Sequence, residues 1–155
     1  MNRGSFNKVL PIYLNGEVPF SLILLDIDTF KFYNDNYGRQ LGDEVIKRVA
    51  SQLESTFRSK DYVFRIGGDE FAIIVVEMPS ANKDSISKRL EKLKIELIKS
   101  EKDIPPVTIS AGITFSDHEG ENKMDVFRQA DKALYFAKDH GRNSYSFYDD
   151  LNKDK

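Results

Sequence analysis

The run Ser21 to Asp28 (SLILLDID) stays apolar without alternation until its end, which predicts a central strand covered on both faces. Ahead of it, Phe6, Val9, Leu10 and Tyr13 share one helical face over about Asn2 to Tyr13, and Gly16 and Pro19 punctuate the end of that helix. A short helix over Thr29 to Asn36 stops near Gly38. A longer one runs from about Gly42 to Phe57, with Val45, Ile46, Val49, Ala50, Leu53 and Phe57 as its apolar stripe. Asp61 to Ile66 and Glu70 to Glu77 read as strands joined by the tight turn Gly67-Gly68, a β-hairpin. The stretch from about Asn82 to Ser100 predicts a helix that turns Ile86, Leu90, Leu93 and Leu97 inward, and Pro105-Pro106 closes the region. Val107 to Phe115 is a strand, Met124 to His140 a helix capped by Gly141, and Asn143 to Tyr148 a last edge strand.

Helices and strands are thus mixed, and the hairpin demands antiparallel pairing. The pattern predicts an α+β, two-layer fold with a mainly antiparallel central sheet and packed helices, as in ferredoxin-like folds. At 155 residues the chain fits a single domain, 1–155, with no linker or low-complexity segment to divide it. That length buries a core unaided, and the absence of cysteine excludes a disulfide framework, a thiolate zinc site and a cysteine nucleophile. It also suits a reducing, cytoplasmic setting. A net charge of −2 argues against a nucleic-acid-binding protein and leaves a small nucleotide ligand open. The apolar runs are too short to span a bilayer, and no signal peptide marks Met1.

Asp26 and Asp28 close the central strand, and alternation places both on one face with Ile27 on the other. Asp69 and Glu70 follow the glycines at the hairpin tip. A hairpin paired beside the strand would bring up to four carboxylates together, a cluster that repels itself and is costly to desolvate. A hard divalent cation removes that cost, and oxygen-only donors suit Mg²⁺, with Mn²⁺ as an alternative. For either aspartate alone, a solvated acid at a strand end is the simpler reading; the pair together with Gly-Gly-Asp-Glu favours the metal. The glycines also let a phosphate approach the backbone closely. A strand-borne acidic pair facing a hairpin-borne acid is a layout suited to two-metal phosphoryl transfer.

Arg65-Ile66-Gly67-Gly68-Asp69-Glu70-Phe71 contains the GGDEF signature, and the chain resembles the GGDEF family of diguanylate cyclases. DIDTFKFYNDNYGRQLGD (Asp26 to Asp43), VTISAGIT (Val107 to Thr114) and ADKALYFAKDHGRN (Ala130 to Asn143) are similar to further family motifs, in the family's order. The resemblance implies the palm-like fold of nucleotidyl cyclases and the condensation of two GTP into cyclic di-GMP and two pyrophosphates. It implies Asp26, Asp69 and the Ile27 carbonyl as metal ligands, and Glu70 as a second-metal ligand or the group that helps activate the 3′-hydroxyl. It assigns Asn34 and Asp43 to guanine, and Lys31, Lys138 and Arg142 to the triphosphate, with backbone N–H groups near Phe30 and Lys31 adding to that grip at a helix start. Each has a plainer rival. Asn34-Asp35 can be a helix-end pair, Asp43 can cap the long helix, and Lys138 and Arg142 suit a helix C-terminus. Arg58-Ser59-Lys60-Asp61 reproduces the RxxD pattern, which in the family forms a product-inhibition site; its rival is a helix-end ion pair worth little.

One domain holds one GTP and the product is twofold, so the implied enzyme works as a transient homodimer. The alternative within the family is a catalytically weak module that binds GTP or cyclic di-GMP as a regulator. Gly38-Arg39 replaces a common Gly-His, which leaves the ligand set intact. The family's DxLTGLxNR-like lead-in survives only as Met1-Asn2-Arg3. The expectation is a piece of a larger, signal-regulated protein with a sensor domain upstream, and it leaves membrane tethering of the parent open. A mixed-product nucleotidyl cyclase is disfavoured by Asp43, and a polymerase palm by the absence of room for fingers and thumb and of a basic template channel. His118 and His140 read as surface residues, and Phe115, Phe127, Leu134 and Tyr135 as packing residues.

Overall fold

The computed structural model describes residues 1–99, 104–118 and 123–151. Strand β1 (Phe20–Ile27) is buried at every position and occupies the centre of a five-stranded sheet. Its neighbours are β3 (Glu70–Val76) and β4 (Ile109–Ser116), both antiparallel to it. β2 (Tyr62–Arg65) pairs antiparallel with β3, and β5 (Ser144–Phe147) pairs parallel with β4, giving the order β2-β3-β1-β4-β5. A short helix, α5 (Tyr148–Leu151), follows β5. The mainly antiparallel α+β fold predicted from the hydrophobic pattern is therefore present, and its one parallel pair is bridged by a helical crossover, as such a pair requires.

The unbroken apolar run of β1 has a direct cause. Ile23, Leu25 and Ile27 face α2 (Phe30–Thr56) and α3 (Lys83–Leu97), packing with Val45, Val49, Leu53, Ile86, Leu90 and Leu93. Phe20, Leu22 and Leu24 face α1 (Arg3–Leu14) and α4 (Lys123–Asp139), packing with Phe6, Leu10, Ala130 and Leu134. Each of the larger of these side chains contributes about 1.5–3 kcal/mol on full burial. Two independent layers thus hold β1, and its end is fixed accordingly.

The two helices expected across Thr29 to Phe57 form one element, α2, bent at Gly38. Gly38 takes φ 86° and ψ 165°, a conformation that a side chain would resist, and the bend folds the first two turns back on the rest. α3 ends at Leu97; the expected last residue, Ser100, lies outside the described residues. The buried Arg48 closes that end by donating to the carbonyls of Glu96 and Lys99.

α4 lies against β4 with no side chain between them at Gly112. A Cβ there would stand 2.1 Å from the Leu134 nitrogen and 2.2 Å from the Ala130 oxygen. This close approach carries the C-terminal half of α4 over the end of β1. Gly141 ends the helix at φ 106°, with Arg142 N–H donating to the Ala137 carbonyl. Phe115 and Leu134 are buried and Phe127 partly so, but Tyr135 is 70% exposed. It falls one position off the stripe Ala130, Ala133, Leu134 and Ala137, so helical rotation carries it outward. His140 is exposed, whereas His118 is half-buried against the Phe20 ring and hydrogen-bonds the Val18 carbonyl. Among the described residues, no helix is long and apolar enough to cross a membrane.

Candidate active site

The site lies where β1 ends beside the β2–β3 turn. Asp26 and Glu70 are direct cross-strand partners, and Ile27 N–H donates to the Asp69 carbonyl. Both acids project on the α1/α4 face, where Lys138 of α4 forms an ion pair with Asp26 Oδ2. Asp26 Oδ1 is buried without a hydrogen-bond partner. Burial is the main reason the Asp26 carboxyl is pushed up from its usual range; the Lys138 contact opposes it, and the charges of Asp69 and Asp131 add to it. The Glu70 carboxyl is pushed up for like reasons: burial first, then Asp26 and Asp131, against Lys138 and Arg3.

Asp28 lies on the same face as Asp26, as alternation predicts, because its carboxylate meets Ser110, the cross-strand partner of Asp26, but it is engaged by other groups rather than by the acidic cluster. The buried Asp28 carboxylate accepts hydrogen bonds from Thr108 Oγ1 (2.9 Å), Ser110 Oγ (2.6 Å) and the Asn143 N–H (2.8 Å). Arg142 approaches it to 4.0 Å. Gly141, Arg142 and Asn143 all have positive φ, so three successive residues hold a left-handed loop that Asp28 anchors. Asp28 thereby fixes the segment that carries Arg142.

α2 begins three residues after β1. Its N-cap residue, Thr29, has φ 54° and makes no side-chain cap, so the Thr29 side chain leaves the first-turn amides, those of Phe30 and Lys31 included, uncapped. Asn34 lies over Gly42, the residue that precedes Asp43. Asp43 sits inside α2 and does not cap it. Lys31 and Asp43 are exposed and Asn34 half-buried.

Arg58 and Asp61 lie elsewhere, near the opposite end of β3 from Glu70, about 20 Å away at the ordinary strand rise. They form no loose surface pair. The Asp61 side chain is fully buried and accepts from Arg58 N (2.9 Å), Arg58 Nε (3.0 Å), Arg58 Nη2 (2.9 Å) and Val76 N (3.0 Å).

Four residues escaped the sequence reading. Asp131 is seven residues before Lys138 and so on the same face of α4, the one clue available in the sequence. Arg3 donates to the Ile66 carbonyl at 3.4 Å, at the root of the turn. Arg65 stitches the turn by donating to the Gly67 and Gly68 carbonyls. Arg89 of α3 reaches 3.5 Å from Asp61.

The model of the family "Diguanylate cyclase, GGDEF domain" matches residues 1–144, and the chain belongs to that family. Among curated relatives, diguanylate cyclase DgcM of Escherichia coli is 40% identical over 126 residues, covering 80% of this chain and 30% of the relative. Diguanylate cyclase VdcA of Vibrio cholerae is 34% identical over 146 residues, covering 92% and 43%. The chain thus spans less than half the length of these relatives. The GGDEF domain of DgcB from Caulobacter crescentus, solved in complex with c-di-GMP, superposes with a TM-score of 0.80 at 30% identity, covering 95% of this chain and 88% of that one. The active GGEEF domain of a Vibrio cholerae diguanylate cyclase superposes with a TM-score of 0.75 at 28% identity, covering 94% and 90%. The sheet and its packed helices are accordingly the cyclase palm.

Proposed function

We propose that this chain is a diguanylate cyclase domain, which condenses two GTP into cyclic di-GMP and two pyrophosphates. The observation that carries the reading is the Asp26–Glu70 rung, with Asp69 at the adjoining turn and Lys138 poised above it. The donor set fits a hard divalent cation, because Asp26 Oδ1 is buried and unpartnered and every candidate ligand is an oxygen. Among the described residues, no three acidic side chains are already gathered as ligands, and Lys138 stands where a cation would relieve Asp26. Asp26, the Ile27 carbonyl, Asp69 and Glu70 would hold Mg²⁺ or Mn²⁺, which would neutralise phosphate charge and acidify the attacking hydroxyl.

The protein's own groups do the rest. Asn34 and Asp43 read guanine; a carboxylate accepts from its ring imino and exocyclic amino groups together, a donor pair that adenine lacks. Lys31, Lys138, Arg142 and the first amides of α2 hold the triphosphate, and the Asp28 anchor keeps Arg142 in place. Glu70, at the hairpin end beside Asp26, would help take up the proton of the 3′-hydroxyl as its oxygen bonds to the α-phosphorus of the other GTP and pyrophosphate leaves. One chain carries one such set, so two chains must face each other. Arg58, held in place by the buried Asp61 and with Arg89 beside it, would bind cyclic di-GMP as an inhibitory site.

Incubation with GTP and Mg²⁺ at low and high chain concentration tests the reading. Cyclic di-GMP should form, with activity per chain rising with concentration. A folded chain that binds GTP and yields none at either concentration would instead be a regulatory module.

A further inference from the structure

We infer that Gly42 is a positioning residue for guanine: its missing side chain is the seat of Asn34. The inference rests on the nucleotide site proposed above.

The bend at Gly38 folds the first two turns of α2 against the rest of the helix, and the two segments meet at Gly42. Gly42 is buried. A Cβ built there would lie 1.9 Å from Asn34 Oδ1 and 3.0 Å from Asn34 Cγ, while Phe30 Cζ would be in ordinary contact at 3.4 Å. No Cβ tolerates an oxygen at 1.9 Å, so one of the two groups has to leave. The contact falls on the end of a short side chain and on no backbone atom. The cheapest response to a methyl group is therefore rotation of the Asn34 amide out of its seat, with the fold preserved.

This gives Gly42 a role distinct from backbone freedom. Its φ is not in the left-handed region, and in a helix interior glycine is the weaker choice than alanine by propensity. The gain must lie in what the open space admits. It admits the amide of Asn34, half-buried and seated on the residue that precedes Asp43, so the two groups assigned to the base are brought to one part of α2.

The test compares Gly42→Ala, Asn34→Ala and the double variant. GTP binding is measured by titration calorimetry with Ca²⁺ replacing Mg²⁺ to suppress turnover, and KM and kcat are measured with Mg²⁺. Gly42→Ala should weaken GTP binding about ten-fold, the worth of one well-made polar contact, and raise KM with kcat nearly kept. Asn34→Ala should do the same, and the double variant should be no worse than either, because both changes remove one interaction. Losses that multiply in the double variant, or a Gly42→Ala chain that binds GTP normally, would overturn the inference. So would a fall in melting temperature for Gly42→Ala that Asn34→Ala does not restore, since the methyl would then be meeting something else. An unaltered chain that fails to bind GTP would sink both the nucleotide site and the role of Gly42. One that binds GTP without making cyclic di-GMP would end the cyclase reading alone, with the Gly42 result standing on the binding data.

Discussion

Replacing Asp61 by alanine should cost this domain about 3–5 kcal/mol, although RxxD reads in the sequence as a surface ion pair. The carboxylate is wholly buried and is the acceptor for two backbone amides, Arg58 N–H and Val76 N–H, as well as for the Arg58 guanidinium. Removing it leaves two amides without an acceptor, each worth about 1–3 kcal/mol. The guanidiniums of Arg58 and Arg89 keep 30% and 23% side-chain exposure and regain some water, which holds the total near the lower end. For a domain of this size the melting point should fall by roughly 10 °C. Arg58→Ala, by contrast, leaves Asp61 with both amides and Arg89, and should cost only about 1–2 kcal/mol. Urea unfolding followed by circular dichroism reads both, with the midpoint moving and the m-value constant. Equal losses for the two variants, or an Asp61→Ala loss under about 1 kcal/mol, would refute the reasoning. The practical result is that Arg58→Ala is the informative variant for product inhibition, because loss of cyclic di-GMP binding in Asp61→Ala is confounded with loss of structure.

Two other expectations follow from the packing and the charges. Gly112→Ala should destabilise by about 3 kcal/mol, because backbone atoms of α4 occupy the methyl's place; a melting temperature within a degree or two of the parent would contradict the close packing. Glu70→Gln should abolish turnover yet leave the metal-free chain as stable or more so at neutral pH. The raised carboxyl means that the folded chain holds the proton more tightly than the unfolded one, so stability is greatest below the usual glutamate range and is lost as pH rises through the raised value. The gain is at most about 1 kcal/mol because the group is partly open to solvent screening, and a clear fall in thermal stability at pH 7 would count against it.

How far the sequence disclosed all this depended on how local each cause is. β1 was legible because burial on both faces leaves no alternation. Asp26, Asp69 and Glu70 were legible because they sit in contiguous motifs at the two ends of a pairing that a hairpin makes natural. Alternation gives the face of Asp28 but not its engagement, because its partners, Thr108, Ser110 and Asn143, arrive from distant parts of the chain. Arg3 and Asp131 reach the site only once α1 and α4 pack on one face. Nothing in RxxD reveals that its aspartate is buried beneath Val76, nor that Arg89 comes to it from α3.

The pairing of β1 with β3 also makes assembly of the site a proofreading step in folding. Shifted by one residue, β3 would turn Glu70 toward the greasy layer of Ile23, Leu25 and Ile27, and Phe71 toward Lys138. A carboxylate forced into hydrocarbon would make that slipped isomer unstable on its own account. The acids that serve the chemistry therefore also penalise the wrong alignment.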